Sequence, residues 1–343
     1  MSDSPLVSII IPIRDRASLF AAAMQSLREQ TYPDWEAIVV DDGSSPDEFQ
    51  SITNLVATDR RARLVQNSSR HSGACAARNI GIKAARGDYF IFLDADDALA
   101  AGCLAHRLAI ISKEPALDFV AFPSWYFHHQ TGDSTALWNV FNADDDLARL
   151  LAGDSPWQTT GPIWRRAALE RLGPWDERLR GWQDTEFHLR ALISGLAYRK
   201  ISEPDAFWRA PGQAGSIGSL SQKPLHAVNR IRMLGRVGTQ LRDAGKLSPR
   251  YRRILATQFY QHAFRIRLAR RHALAIWRQG RRLGLVTQRE YWTGLFLDAL
   301  ERGSRRFSRK SIHRLFPDLE RPLRFGTVHH PIDVRDAGSR QSE

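Results

Sequence analysis

Residues 73–97 read GACAARNIGIKAARGDYFIFLDADD, and this stretch decides the fold. Gly73–Arg86 carries a helix signal that Gly87 ends. Asp88–Leu93 (DYFIFL) is a short apolar and aromatic run, the pattern of a strand covered on both faces. Asp94-Ala95-Asp96-Asp97 stops that strand with three carboxylates in four residues. Charges so close repel one another, and a fold that gathers them commonly supplies a cation. Hard oxygen ligands suit Mn²⁺ or Mg²⁺, held by one or two carboxylates plus substrate phosphates. Without a ligand the same residues would make a solvated acidic turn or a helix start.

Upstream the pattern repeats. Leu6–Ile13 (LVSIIIPI) reads as a strand ended near Pro12, followed by a helix over 16–30 with Leu19, Ala23 and Leu27 on one face. Trp35–Val40 is a second strand, stopped by Asp41-Asp42-Gly43-Ser44. Ser45-Pro46 opens the next helix, and Arg63–Gln66 is a third strand. Downstream, 98–113 reads as helix, Leu117–Tyr126 as strand, and Asp144–Leu151, Ile163–Leu172 and Trp182–Ser194 as helices. Strands alternating with helices predict an α/β, Rossmann-like fold with a mostly parallel central sheet flanked by helices. Ligands of such sheets bind beyond the carboxyl ends of the strands, where Arg14-Asp15, Asp41-Asp42 and Asp94–Asp97 all fall. Asp41 at a strand end can accept from a nucleobase or ribose, and Arg78 can reach a phosphate or base.

Three ordered blocks within residues 7–97 now stand together: VSIIIPIRDR, SLREQTYPDWEAIVVDDGSSPD and the stretch quoted first. Their combination resembles the nucleotide-sugar-binding half of family-2 glycosyltransferases. The resemblance implies the glycosyltransferase A (GT-A) fold, a nucleotide-diphospho-sugar donor of UDP type, a divalent metal and an inverting transfer, in a setting such as polysaccharide or cell-envelope biosynthesis. It assigns Pro12, Ile13, Arg14 and Asp41 to the nucleoside and Arg78 to the base or diphosphate. The DxD motif falls on Asp94, Ala95 and Asp96, with Asp96 binding metal and Asp94 facing the ribose or sugar. IWRRAALERLGPWDERL (163–179) and GWQDTEFHLR (181–190) resemble the family's acceptor half. There the second acid of a helix-opening pair is the catalytic base. That position is Asp184, and Gln183 replaces the usual Glu. A carboxylate is the group that inverting transfer needs to take the acceptor proton, and partial burial beside Trp182 would raise its basicity. Of the four tryptophans 157, 164, 175 and 182, Trp182 and then Trp175 are the candidates for stacking on acceptor sugar. Arg209 precedes a Gly/Ser-rich segment, Pro211–Ser221, and could meet the diphosphate if that segment closes.

The chain of 343 residues divides by charge. Residues 1–225 hold 23 Lys+Arg against 28 Asp+Glu, whereas 226–325 hold 24 against 6, net +18. The division expected is a GT-A domain over 1–222 (donor half 5–115, acceptor half 116–222), a basic helical region over 223–325 and a disordered tail over 326–343. Arginines set among Phe, Trp and Leu suit peripheral contact of residues 226–325 with an anionic membrane. The chain shows no zinc finger and no RNA-binding aromatic motif, which argues against nucleic acid. No apolar run approaches the roughly 18 residues of a spanning helix. The start, MSDSPLVSIII, lacks the features of a signal peptide. Cys75 and Cys103 form no zinc or disulfide pattern. The expected place is cytoplasmic, with docking on the inner membrane face, and the acceptor a glycan or lipid-linked hydroxyl. A sugar-1-phosphate nucleotidyltransferase would want glycines after the first strand, where Pro12–Asp15 has none. A non-catalytic basic binding protein would have no use for Asp94, Asp96 and Asp184 together.

Overall fold

The computed structural model describes residues 4–69, 71–141, 145–210, 224–265, 270–303 and 332–333. Its centre is a seven-stranded sheet. Strand β1 (Val7–Ile13) pairs in parallel with β2 (Trp35–Asp41) and with β4 (Tyr89–Phe92), and β3 (Ala62–Gln66) extends the sheet beyond β2. On the other side β9 (Pro162–Arg165) runs antiparallel between β4 and β6 (Phe119–Ala121), and β10 (Tyr198–Lys200) is parallel to β6. The sheet is therefore mostly parallel, with one reversed strand.

Both faces are covered, as the continuous apolar strands require. Ile9, Ile11, Val39 and Ile91 face helices α1 (Ala17–Arg28), α2 (Pro46–Val56) and α4 (Cys103–Ile111). The alternating residues Ile10, Ile38, Val40, Phe90 and Phe92 face the opposite layer. There α3 (Ala74–Ala84) lies so close to β1 that a Cβ at Gly81 would come within 2.4 Å of Ile10. The same layer holds α5 (Asp146–Ala152), α6 (Arg166–Leu172) and α7 (Gln183–Ile193).

A second sheet brings together β5 (Ala98–Leu99), β7 (Ser124–Phe127), β8 (Ala136–Leu137) and β11 (Ala206–Arg209). Its outermost strand is β12 (Ile332–Asp333), antiparallel to β8. The expected strand Leu117–Tyr126 is thus two strands in two sheets, parted at Phe122-Pro123 because proline has no N–H for a ladder. The expected helix Ile163–Leu172 begins only at Arg166, because Pro162–Arg165 is drawn into the sheet. The helix expected over 98–113 likewise starts at Cys103.

The basic region forms α8 (Pro224–Asp243), α9 (Pro249–Arg265), α10 (Arg270–Arg282) and α11 (Gln288–Gly303). These helices bury Ile231, Leu234, Val237, Leu255, Phe259 and Trp277 in the same apolar cluster as Phe187 and Leu189 of α7. The last helix opens on a capping box: Thr287 Oγ1 accepts from Glu290 N, and Glu290 Oε2 accepts from Thr287 N at 2.6 Å. The segment 211–221 lies outside the described residues. So does the tail 326–343, apart from the two residues of β12.

Candidate active site

The ends of β1, β2 and β4 meet at one edge of the central sheet. After β1, Asp15 and Arg16 both adopt left-handed backbone conformations, φ 57° and 64°. Such a pair is uncommon for non-glycine residues and needs support from its surroundings. Asp15 N donates to Ser44 Oγ (2.7 Å), Asp15 Oδ1 accepts from Ser45 N (2.9 Å), and Glu48 accepts from Ala17 N. The loops after β1 and β2 are thereby one hydrogen-bonded unit. Within it Ile13 is buried, and its carbonyl accepts from Asp42 N at 2.8 Å, while Pro12 is half-buried and Arg14 exposed.

Asp41 is buried and folds its carboxylate over its own turn, accepting from Gly43 N, Ser44 N and Ser44 Oγ. Its neighbour Asp42 ties the turn to α3, accepting from Gly73 N (2.6 Å) and from Asn67 Nδ2 (2.7 Å). On α3, Arg78 is buried and donates to Asp94 Oδ1 at 2.6 Å. Its guanidinium lies 4.6 Å above the Trp175 ring.

The carboxylates after β4 take separate partners. Asp94 pairs with Arg78, and Asp96 Oδ2 pairs with Arg16 Nη1 at 3.1 Å. Arg16, which the sequence analysis did not single out, is thus a side chain after β1 that reaches the DxD segment. The signal was the second arginine of Ile13-Arg14-Asp15-Arg16, which the paired left-handed residues turn inward. Asp97 is buried and structural, accepting from Arg209 N (3.0 Å) and Thr160 Oγ1 (3.3 Å). Arg209 also donates from Nε to the Asp96 carbonyl at 2.8 Å, so β11 is fastened to the acidic loop at two points.

The sequence gives no direct sign of Thr160. Burial, and then the Asp94 carboxylate, push the Asp96 carboxyl above the usual range, with Arg16 partly offsetting them. A cation would relieve that cost, so the donor set fits a hard divalent metal. Among the described residues no three His, Cys, Asp or Glu side chains gather as a ready metal cage. A metal held by Asp96 would therefore draw its remaining ligands from the diphosphate and water.

Asp184 is half-buried in the first turn of α7. The helix begins from Trp182, itself left-handed at φ 61°. Burial raises the Asp184 carboxyl, the Thr185 N–H and Arg78 hold it back, and Asp94 adds to the rise. Trp175 links the two segments, since its ring lies under the Arg78 guanidinium and stacks on Phe187 of α7. Gln183 does not orient it, since its amide donates to the Leu179 carbonyl at 3.0 Å. Glu186 points elsewhere and pairs with Arg190 at 3.1 Å.

The tryptophan reading needs correction. Trp157, Trp164 and Trp175 are buried, and Trp175 stacks on Phe187 with ring centroids 4.0 Å apart, so it packs the core and presents no face to an acceptor. Trp182 is half-buried, and the Arg230 guanidinium of α8 lies 3.3 Å from its ring. One of its faces is therefore occupied by the basic region. Arg230 in turn donates to Gln258 of α9, whose amide donates to the Ala152 carbonyl. At the far end of α7, Lys246 Nζ donates to the carbonyls of Ile193 (2.8 Å) and Leu192 (3.3 Å). Arg236 pairs with Asp176 at 2.7 Å. The basic region therefore grips both ends of the helix that carries Asp184.

Residues 8–173 match the family model described as Glycosyl transferase family 2. A PGL/p-HBAD biosynthesis glycosyltransferase of Mycobacterium tuberculosis is 31% identical over 190 residues, which span 55% of this chain and 70% of that protein. The chain belongs to glycosyl transferase family 2. An uncharacterized glycosyltransferase of Haemophilus influenzae is 38% identical over 104 residues, 30% of this chain and 41% of that protein's length. Among solved structures, S. aureus TarS 1-349 in complex with UDP-GlcNAc superposes with TM-score 0.63 at 17% identity, covering 83% of this chain and 82% of that one. The mannosyltransferase PcManGT from Pyrobaculum calidifontis, in complex with GDP-Man and Mn²⁺, gives TM-score 0.53 at 18% identity, covering 93% and 86%. These likenesses establish the GT-A fold, and membership of the family makes the chain a glycosyltransferase. Among the described residues no helix is long and apolar enough to cross a membrane.

Proposed function

We propose that the protein is an inverting glycosyltransferase that moves a sugar from a nucleotide-diphospho-sugar, of UDP type, to a hydroxyl of a glycan or lipid-linked acceptor. The observation that supports this reading is the Trp175 ring, which lies between the Arg78–Asp94 pair and Phe187 of α7, the helix whose first turn carries Asp184. Asp41, Pro12, Ile13 and Arg14 line the nucleoside side, and Arg78 and Arg209 stand by the diphosphate. Asp96 would hold Mn²⁺ or Mg²⁺, which supplies charge stabilisation to the departing diphosphate. Trp182 keeps one edge near the acceptor. Peripheral contact of the basic region with an anionic membrane, from the cytoplasmic side, belongs to the same reading.

Asp184 takes the proton of the acceptor hydroxyl while that oxygen forms a bond to the anomeric carbon. The bond from that carbon to the diphosphate oxygen breaks on the opposite face, and its electron pair leaves with the nucleotide. Arg78 and Arg16 hold the carboxylates of the DxD segment apart and in place. The neighbour complexes with UDP-GlcNAc and with GDP-Man and Mn²⁺ support a nucleotide-sugar and a metal.

The test is thermal-shift binding of UDP, GDP, CDP and dTDP, with Mn²⁺ or with EDTA, on wild type and Asp96→Ala. A ligand that binds the native state raises the melting temperature according to its affinity. A rise with UDP that disappears with EDTA and in Asp96→Ala is the expected result. No rise with any nucleotide would overturn the donor site.

A further inference from the structure

Asn79 of α3 is buried, and its amide is spent on one short segment between α6 and α7. Its Oδ1 accepts from Trp175 N (2.8 Å), and its Nδ2 donates to the Trp175 carbonyl (3.0 Å) and to Glu177 Oε1 (2.8 Å). One side chain thus satisfies both backbone groups of Trp175, as a neighbouring strand would. The residue before it, Arg78, meets the same tryptophan through the ring, with the guanidinium 4.6 Å from the ring centroid. Among the described residues the indole N–H of Trp175 has no hydrogen-bond partner, so no polar contact fixes the ring directly. The ring leans on two layers at once: Phe187 of α7 stacks on it at 4.0 Å, and Phe92 of β4 meets it edge-on at 5.1 Å. The segment is shared in the same way. Arg190 of α7 donates to the Pro174 carbonyl (2.9 Å), and Asn79 of α3 holds the next residue. Arg78 is itself incompletely satisfied. Its Nη2 donates to Asp94 at 2.6 Å, whereas its Nε is buried and has no hydrogen-bond partner among the described residues. A buried guanidinium N–H that the fold leaves over calls for a partner from outside it.

We propose that Asn79 is a positioning residue for donor binding: by clamping the Trp175 backbone to α3 it keeps the indole against the Arg78 guanidinium and so sets that guanidinium for the donor diphosphate. This rests on the reading of Arg78 as a diphosphate contact given above and adds what holds it there. A ring face orients a guanidinium without drawing on its N–H donors. Asp94 takes one donor and the indole takes the plane, which leaves donors of the fork for phosphate oxygens. Without the clamp, the ring would follow its stacking partner on α7, and the guanidinium would lose its support. Asn79 touches neither the ring nor Arg78 through its own side chain, so its effect passes through the Trp175 backbone.

The experiment is calorimetric binding of UDP and of uridine to the full chain with Mn²⁺. Asn79→Ala should weaken UDP about tenfold, the scale of one charge-assisted hydrogen bond, and uridine less than about twofold. In an Arg78→Ala background the same substitution should add no further loss, because the contact through which it acts is gone. A second pair tests the path without touching the clamp, since every Asn79 contact to Trp175 is to its backbone. Trp175→Phe keeps an aromatic face and should hold UDP within about threefold of wild type, whereas Trp175→Leu should lose about as much as Asn79→Ala. Equal losses of UDP and uridine in Asn79→Ala, or losses that add to those of Arg78→Ala, would make Asn79 a purely structural residue and overturn the proposal. Equal UDP affinity in the Phe and Leu variants would overturn it as well. UDP binding that Arg78→Ala leaves intact, or that wild type lacks, would fail the donor-site reading and this inference with it. Loss in Arg78→Ala with none in Asn79→Ala would fail this inference alone.

Discussion

On the donor side the site is closed by turn residues: Asp15 and Ser44 lock the loops after β1 and β2, and Asp42 fastens β2 to the start of α3. On the acceptor side the helix bearing Asp184 is gripped by residues much later in the chain. Arg230 stacks on Trp182 before its first turn, and Lys246 takes the carbonyls at its last. The donor edge is therefore a property of a local sequence pattern. The acceptor edge is a property of packing between distant segments. A substitution on one side should be felt differently from one on the other.

The sharpest test of the acceptor edge is Asp184→Asn. The variant keeps the shape of the side chain and removes the carboxylate proposed as the base, so the turnover number for transfer should fall by roughly 10²–10⁴-fold. The nucleotide-induced thermal shift should persist, because the donor edge is untouched. In wild type the rate should fall as pH drops through the Asp184 pKa. Burial raises that pKa, so the acid limb should lie above the ordinary aspartate range near 3.9. A variant that transfers at the wild-type rate would move the base elsewhere on the acceptor side.

The grip of the basic region predicts the next largest effect. In Arg230→Ala/Lys246→Met, α7 loses its partners at both ends. The turnover number should drop roughly tenfold, the scale of a misplaced catalytic group, while the KM for donor is kept. Arg230→Lys should recover part of the loss, because a cation over Trp182 remains. A variant whose donor KM rises as much as its turnover falls would show that the two edges are one cooperative unit, and the contrast drawn above would fail.

The same contrast explains what could be read from the sequence. Apolar strands ending in acidic turns declare themselves locally, so β1, β2, β4 and the edge they form were legible from Ile9–Ile13, Trp35–Asp42 and Tyr89–Asp97. Asp184 was singled out through the pattern around it, and its role rests on the first test above. Strand β9 was not, because a four-residue run such as Pro162–Arg165 has no period of its own and becomes a strand only between β4 and β6. The role of Trp175 was hidden for a related reason: stacking against Phe187 depends on where α7 lands. Arg16 needed the backbone, since only two successive left-handed residues turn it towards Asp96. Arg230 and Lys246 carry no local signal at all and look like any other cations in a basic helix.

The smallest predicted effect again separates the two sides, through stability. His188 of α7 is buried against Trp157 and Trp164, and burial, with Arg78 adding to it, lowers its pKa to about 3. In the unfolded chain the same imidazole titrates near 6.5. The folded form therefore holds it neutral over a range where the unfolded form takes up a proton. Its contribution to stability is complete above about pH 6.5 and is lost as pH falls from there towards 3. Between pH 6.5 and 5.5 the loss should be about 1 kcal/mol, approaching about 1.4 kcal/mol for each further unit. His188→Phe removes the titration and keeps an aromatic ring among its neighbours. Denaturant melts of wild type and variant at pH 8 and 5.5 should show a smaller pH-dependent loss in the variant. Equal losses would mean that the neutral imidazole among the tryptophans carries no proton linkage, and the acid sensitivity of the fold would then have to come from its other histidines and its carboxylates.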